Sequence, residues 1–180
     1  MKKLLTTIAI LVLTAVAVMA QSRAIGVRAG YNFEISYQHS VGSESGMIEV
    51  DAGISPFLSQ KVLITEAPGD SYERTYRYGR AQAMILYDYI MNPATNFNLY
   101  FGAGIGVSWG YGDIFSPYSN QDVKVRRLGL PIGAQVGLEY ELPIPLNLSL
   151  DWRPTVNLFD FRESLASKLL NVAIGIRYRF

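Results

Sequence analysis

Few residues of this chain carry reactive chemistry. His39 is the only histidine among 180 residues, and there are no cysteines. With Ser40 beside it and Glu44 close by, His39 suggests the acid–base and nucleophile set of an ester-cleaving hydrolase. Adjacent residues on a strand point to opposite faces, which separates His39 from Ser40 and argues against that pair. One histidine without cysteine is a poor start for zinc. The lack of cysteine also removes a thiol nucleophile, a disulfide framework and the acylation site of a lipoprotein. Gly102-Ala103-Gly104-Ile105-Gly106 contains GxGxG but not the GxGxxG spacing and following helix of a dinucleotide cradle. On a strand, alternating glycines instead leave room for large inward neighbours such as Arg and Tyr.

Charged side chains are the next candidates. Arg28, Glu49, Asp51, Arg80, Asp88, Glu139, Asp151, Arg153, Arg177 and Arg179 each fall on the polar side of an alternating segment. They read either as a substrate or ion path, or as a mutually neutralising network that fills a narrow interior, where charges must be paired. A second group mixes aromatics with charge, as binding loops do: Tyr72, Glu73, Arg74, Tyr76 and Arg77, with Tyr111, Asp113, Phe115, Tyr118 and Asp122. Solvated loop is the alternative for these. No residue is assigned to catalysis, a cofactor or a metal.

The elements that position these residues begin after an export signal. Met1-Lys2-Lys3 is a basic start, Leu4 to Val18 is an uncharged apolar run, and Val18-Met19-Ala20 ends in small residues. This pattern predicts a secretory signal peptide over residues 1–20, cleaved after Ala20, with one domain over residues 21–180. Cleavage leaves 14 basic against 15 acidic residues, a mature net charge of −1. That balance offers no electrostatic case for nucleic acid. Hydrophobic residues make up 49% of the chain and charged residues 17%, which argues against disorder. After Ala20 no apolar run is long enough for a spanning helix, so a membrane location would require strands closed into a barrel.

Period-two alternation dominates the rest. Leu128, Leu130, Ile132, Ala134, Val136, Leu138, Tyr140 and Leu142 share one face; Gly129, Pro131, Gly133, Gln135, Gly137, Glu139 and Glu141 share the other. A run of this length suits a tilted membrane strand better than a strand of a soluble sheet. The same pattern runs through Phe97–Trp109, Leu146–Val156 and Leu170–Phe180. It is mixed in 78–91, where Met84, Leu86 and Ile90 share a face with Arg80, Gln82 and Asp88. Aromatics gather near the predicted strand ends: Phe97, Trp109, Tyr111, Tyr140, Phe159, Phe161, Tyr178 and Phe180. Such girdles form where amphipathic rings meet headgroups.

Eight strands are predicted, over 24–31, 33–40, 47–56, 78–91, 97–109, 127–142, 146–158 and 169–180. An even number places both termini on one side, the periplasm. Short turns at 42–46, 92–96 and 143–145 then share that side, and loops at 58–76, 111–125 and 160–167 share the other. The fold class is an all-β, closed, antiparallel, up-and-down transmembrane β-barrel.

Several segments resemble small outer-membrane barrels of Bacteroidota, similar to the eight-stranded OmpA and OmpX type. They are Ile35-Ser36-Tyr37-Gln38-His39, Gly102-Ala103-Gly104-Ile105-Gly106, Gly137-Leu138-Glu139-Tyr140 and Leu148-Ser149-Leu150-Asp151-Trp152-Arg153-Pro154, with the final Gly175-Ile176-Arg177-Tyr178-Arg179-Phe180. The resemblance implies outer-membrane lipid around the wall, and recognition of the last strand by the barrel-assembly machinery through Tyr178 and Phe180. It implies no general catalytic motif. The expected role is structural or surface-interacting, with an unidentified extracellular ligand. A lipid-modifying enzyme such as a lipid A deacylase, a narrow channel and a soluble exported barrel or sandwich are the alternatives.

Overall fold

The computed structural model describes residues 23–42, 45–67, 70–116, 121–159 and 171–180, and through 56–78 and 113–125 it describes the backbone alone. The strands are β1 (Arg23–Gly30), β2 (Phe33–Ser40), β3 (Gly46–Ala67), β4 (Asp70–Ala94), β5 (Phe97–Ser116), β6 (Gln121–Gly129), β7 (Pro131–Glu141), β8 (Leu146–Trp152), β9 (Thr155–Asn157) and β10 (Val172–Arg179). Every pairing is antiparallel. The wall runs β1-β2-β3-β4-β5-β7-β8-β10 and closes where Ala24 of β1 faces Arg179 of β10. Closure leaves the wall no free edge.

The ten segments form eight staves, because two staves are interrupted without a change of register. On β5, Ile105 faces Ile132 of β7 and Ser108 faces Gly129 of β6, three steps on along both chains. The gap falls at Leu130, beside Pro131, whose ring nitrogen has no hydrogen to donate. The other gap, Arg153–Pro154, separates β8 from β9 on the same register with β7.

Of the stretches 58–76 and 111–125, expected as loops, the described residues 58–67, 70–76, 111–116 and 121–125 are strand. β3 and β4 stay paired from Leu58–Tyr78 to Ala67–Asp70, and β5 and β6 to Ser116–Gln121. The residues involved explain this. Val62, Ile64, Tyr72, Tyr76, Ile114, Val123 and Val125 are β-branched or aromatic, so each ribbon keeps strand preference beyond the wall. A register shift between Ser55 and Leu58 marks where the first ribbon leaves the wall. The expected 160–167 loop and the signal segment lie outside the described residues.

At the opposite end the connections are tight. Val41 N–H donates to Gly46 O at 2.8 Å, with Gly42 at φ 71°. Strand β4 runs on to Ala94 through an irregularity after Met91, which shortens the expected 92–96 turn to Thr95 and Asn96. Leu142 N–H donates to Leu146 O at 2.9 Å over the Pro143–Pro145 turn.

The two faces of the wall have opposite chemistry. Ile35, Val107 and Ile174 are 62–65% exposed on the outside, while Arg28, Arg153 and Arg177 are at most 2% exposed inside. In the mixed segment of β4, Met84 and Leu86 are buried inside with Gln82 and Asp88. Glycines on β5 make the space: a Cβ on Gly102, Gly104 or Gly106 would strike Asp88, Leu86 or Met84 within 2.6 Å. The neighbours that need this room are thus an aspartate and two apolar residues, rather than the Arg and Tyr expected from the sequence. A tyrosine uses the space elsewhere, where Tyr100 occupies the place of a Gly137 side chain.

Candidate functional site

The lumen holds a continuous charge network centred on Glu49 of β3. Its carboxylate accepts hydrogen bonds at 3.1 Å each from Ser36 and Gln38 of β2, Gln135 of β7, Arg153, and Arg177 of β10. One buried side chain therefore ties its own strand to four other parts of the wall. Alternation makes this arrangement, since all five donors sit in the inward phase of their segments.

Arg28 of β1 is bound to Asp151 of β8 and Glu34 of β2, and reaches Asp51 of β3 at 3.4 Å. Arg153 contacts Asp51 at 2.5 Å and Glu34 at 3.5 Å. Arg177 reaches Glu139 at 3.3 Å and donates to Ser149 at 2.8 Å. Tyr100 O–H donates to Asp151 at 3.3 Å, and Asn147 donates to Glu139 at 2.8 Å. Charge-assisted bonds of this kind are the strong ones, and here they satisfy one another across the interior.

Three of the residues singled out from the sequence sit apart from this centre. Arg80 is buried on the inner face of β4 opposite Ser55. Arg179 lies at the lower rim, half-exposed, ion-paired with Glu141 and donating to the Leu142 and Ile144 carbonyls. Asp88 is fully buried, and neither carboxylate oxygen has a hydrogen-bond partner among the described residues. Tyr178 and Phe180 stand exposed on the outer wall at the same rim.

Sequence reasoning passed over Glu34, Gln135, Tyr100 and Glu141. Glu34 had a signal: it lies in phase with Arg28 across a hairpin whose register pairs the two directly. Gln135 and Tyr100 had none, because an uncharged polar residue in the inward phase is indistinguishable from filler until its cross-lumen partner is known.

The expected binding loops divide between the two ribbons. Tyr72, Arg74 and Tyr76 keep the phase of inward Arg80 and Gln82 along β4, and pair in register with Ile64, Val62 and Gln60 of β3. Tyr111 and Phe115 keep the outward phase of β5. Tyr111 is an exposed strand residue rather than a loop residue, and its ring covers Gly79 of β4. Tyr118 lies outside the described residues. His39, near the lower end of β2, faces Arg23 and Ile48 in register. Among the described residues no His, Asp and Glu group is placed to hold a metal ion.

No family model matches the chain, and no curated protein does. Solved structures do. Neisserial surface protein A is similar at 14% identity and TM-score 0.53, over 89% of this chain and 94% of that one. A major outer membrane protein from Thermus thermophilus is similar at 14% identity and TM-score 0.61, over 90% of this chain and 100% of that one. With the closed register and the reversed faces, these likenesses identify the fold as that of the small eight-stranded antiparallel barrels known from bacterial outer membranes.

Proposed function

We propose that this chain is an integral outer-membrane protein whose role is structural or surface-interacting, exerted through its two long hairpins and without catalysis. The observation that carries the reading is the reversal of faces. Every stave exposes large apolar or aromatic side chains on its outer face, while paired charge occupies the centre of the interior. A water-soluble protein rarely exposes so broad an apolar surface, whereas lipid requires it. Outer-membrane lipid is then the partner of the wall, and the barrel-assembly machinery the partner of β10, which carries Tyr178 and is followed by Phe180.

The orientation follows from the asymmetry of the connections. Tight turns at one end belong in the periplasm with both ends of the wall, and the paired ribbons of β3–β4 and β5–β6 belong outside the cell. Electrophoresis of the washed outer-membrane fraction, with and without boiling in detergent, tests the barrel and its location. The unheated sample should run as a distinct folded band. Recovery in the soluble periplasmic extract would overturn the reading. Because the chain lacks cysteine, Thr65→Cys near the first ribbon's tip gives a unique probe of orientation. Intact cells should label it with a membrane-impermeant maleimide, and labelling only after lysis would reverse the topology.

A further inference from the structure

The centre of the lumen holds more negative charge than its arginines balance. Arg28, Arg153 and Arg177 bring three positive charges there, and Glu34, Glu49, Asp51, Glu139 and Asp151 already lie against them. Asp88 of β4 is a further carboxylate. It is fully buried, and neither of its oxygens has a hydrogen-bond partner among the described residues. A buried charge left without a partner is strongly destabilising.

The register accounts for this isolation. Met47 of β3 lies opposite Asp88 on one side, and Gly102 of β5 on the other. The next inward residue on β4 is Leu86, and both Met47 and Leu86 are buried. Neither side chain can donate a hydrogen bond. The carboxyl packs onto the β5 backbone, where a Cβ on Gly102 would stand 2.4 Å from its Oδ1.

The charges that face Asp88 are Glu49 and Asp51 of β3, Arg153, and Arg177 of β10. Glu49 pairs with Leu86, which places it diagonally next to Asp88 with the same sign of charge. Arg153 gives its Nε to Gln135, its Nη1 to Glu34 and its Nη2 to Glu49 and Asp51. Arg177 gives its Nε to Ser36, its Nη1 to Glu139 and Ser149, and its Nη2 to Glu49. On β5, Tyr100 gives its hydroxyl to Asp151. Arg80 stands eight residues up β4, about 26 Å away. Each donor that faces Asp88 is thus committed to another acceptor.

We propose that Asp88 is a proton-binding site, at which the closed barrel holds a neutral carboxylic acid. A buried carboxyl without a partner is better stabilised by a bound proton than by its charge. A metal cation in the same place would need several oxygen ligands, and Met47, Leu86 and Gly102 offer no side-chain oxygen. In the unfolded chain an aspartate ionises at about pH 3.9. Above that pH the folded barrel binds the extra proton, so its stability falls as the pH rises, until Asp88 ionises in the barrel as well. The site makes the barrel tighter in acid and looser in alkali. It lies inside the wall, so the inference goes beyond the surface role proposed above and is independent of what the hairpins bind.

The test uses the full-length protein refolded into neutral detergent micelles and unfolded in urea at constant ionic strength, from about pH 4 to about pH 9. Asp88→Asn keeps the shape of the side chain and removes its ionisation. Wild type and variant should unfold together at the acid end. With rising pH the wild type's folding constant should fall relative to the variant's, by about tenfold per pH unit while only the folded barrel keeps the proton. A difference between the two that does not change with pH would overturn the site. Infrared spectra of the folded proteins give a second readout. At neutral pH the wild type should show the C=O band of a protonated carboxyl, and Asp88→Asn should lack that component; equal spectra would overturn the proposal. If the variant does not fold, the wild type decides alone, since its carboxyl band must be present at neutral pH and vanish in alkali. A wild-type midpoint that rises with sodium or potassium at the alkaline end, with no such rise in the variant, would put a cation in the proton's place and overturn it too.

Discussion

At the scale of single residues, the interior contains one carboxylate with many partners and one with none. Glu49 accepts from five donors on four other parts of the wall, whereas Asp88 has no hydrogen-bond partner among the described residues. Removing one member of a buried ionic network strands its partners, at a cost of about 3–5 kcal/mol. Glu49→Ala should therefore lower unfolding stability by about that amount in urea titrations of the refolded protein. Asp88→Asn removes a charge that nothing satisfies, so its urea midpoint should stay level or rise. An equal loss in both variants would mean that net interior charge matters, not the bonds. Gly137 provides a steric counterpart. A Cβ there would lie 2.2 Å from the Tyr100 ring. Gly137→Val should abolish the folded gel band, and adding Tyr100→Ala should restore it.

At the scale of elements, the wall and the ribbons have separate supports. Between Met47 and Ile54, strand β3 pairs with both β2 and β4, while above Ser55 it pairs with β4 alone. Replacing residues 58–77 by a two-residue turn should therefore leave the folded band intact. It should abolish surface contacts made through the first ribbon, measured as adhesion of cells expressing either form. Alternation in the sequence located every stave of the wall, since period two is a local property of the chain. It misplaced the strand ends for an equally local reason. In the ribbons Val62, Ile64, Tyr72, Tyr76 and Ile114 fall in the inward phase of the register, so a search for one continuous apolar face stops where they begin.

At the scale of the whole molecule, the network decides what the barrel can transmit. Three arginines and their carboxylates span the interior at mid-height, each arginine at most 2% exposed. A closed eight-stranded barrel has room for little beyond its own side chains. The refolded protein in planar bilayers should show no conductance steps above leak, and discrete steps would instead establish a water path. The chain's own residues determined the all-β class, the number of staves, the polar interior and the apolar exterior, because each follows from which neighbour along the chain is apolar. They also marked Arg28, Arg153 and Arg177 as inward. Only the tertiary structure decided that Glu49 is the centre, that Glu34 and Gln135 belong with it, that Arg179 sits at the rim, and that Tyr72 and Tyr111 lie in opposite phases. Those outcomes depend on register and on which staves meet across the lumen, and both are set by closure of the barrel between residues far apart in the chain.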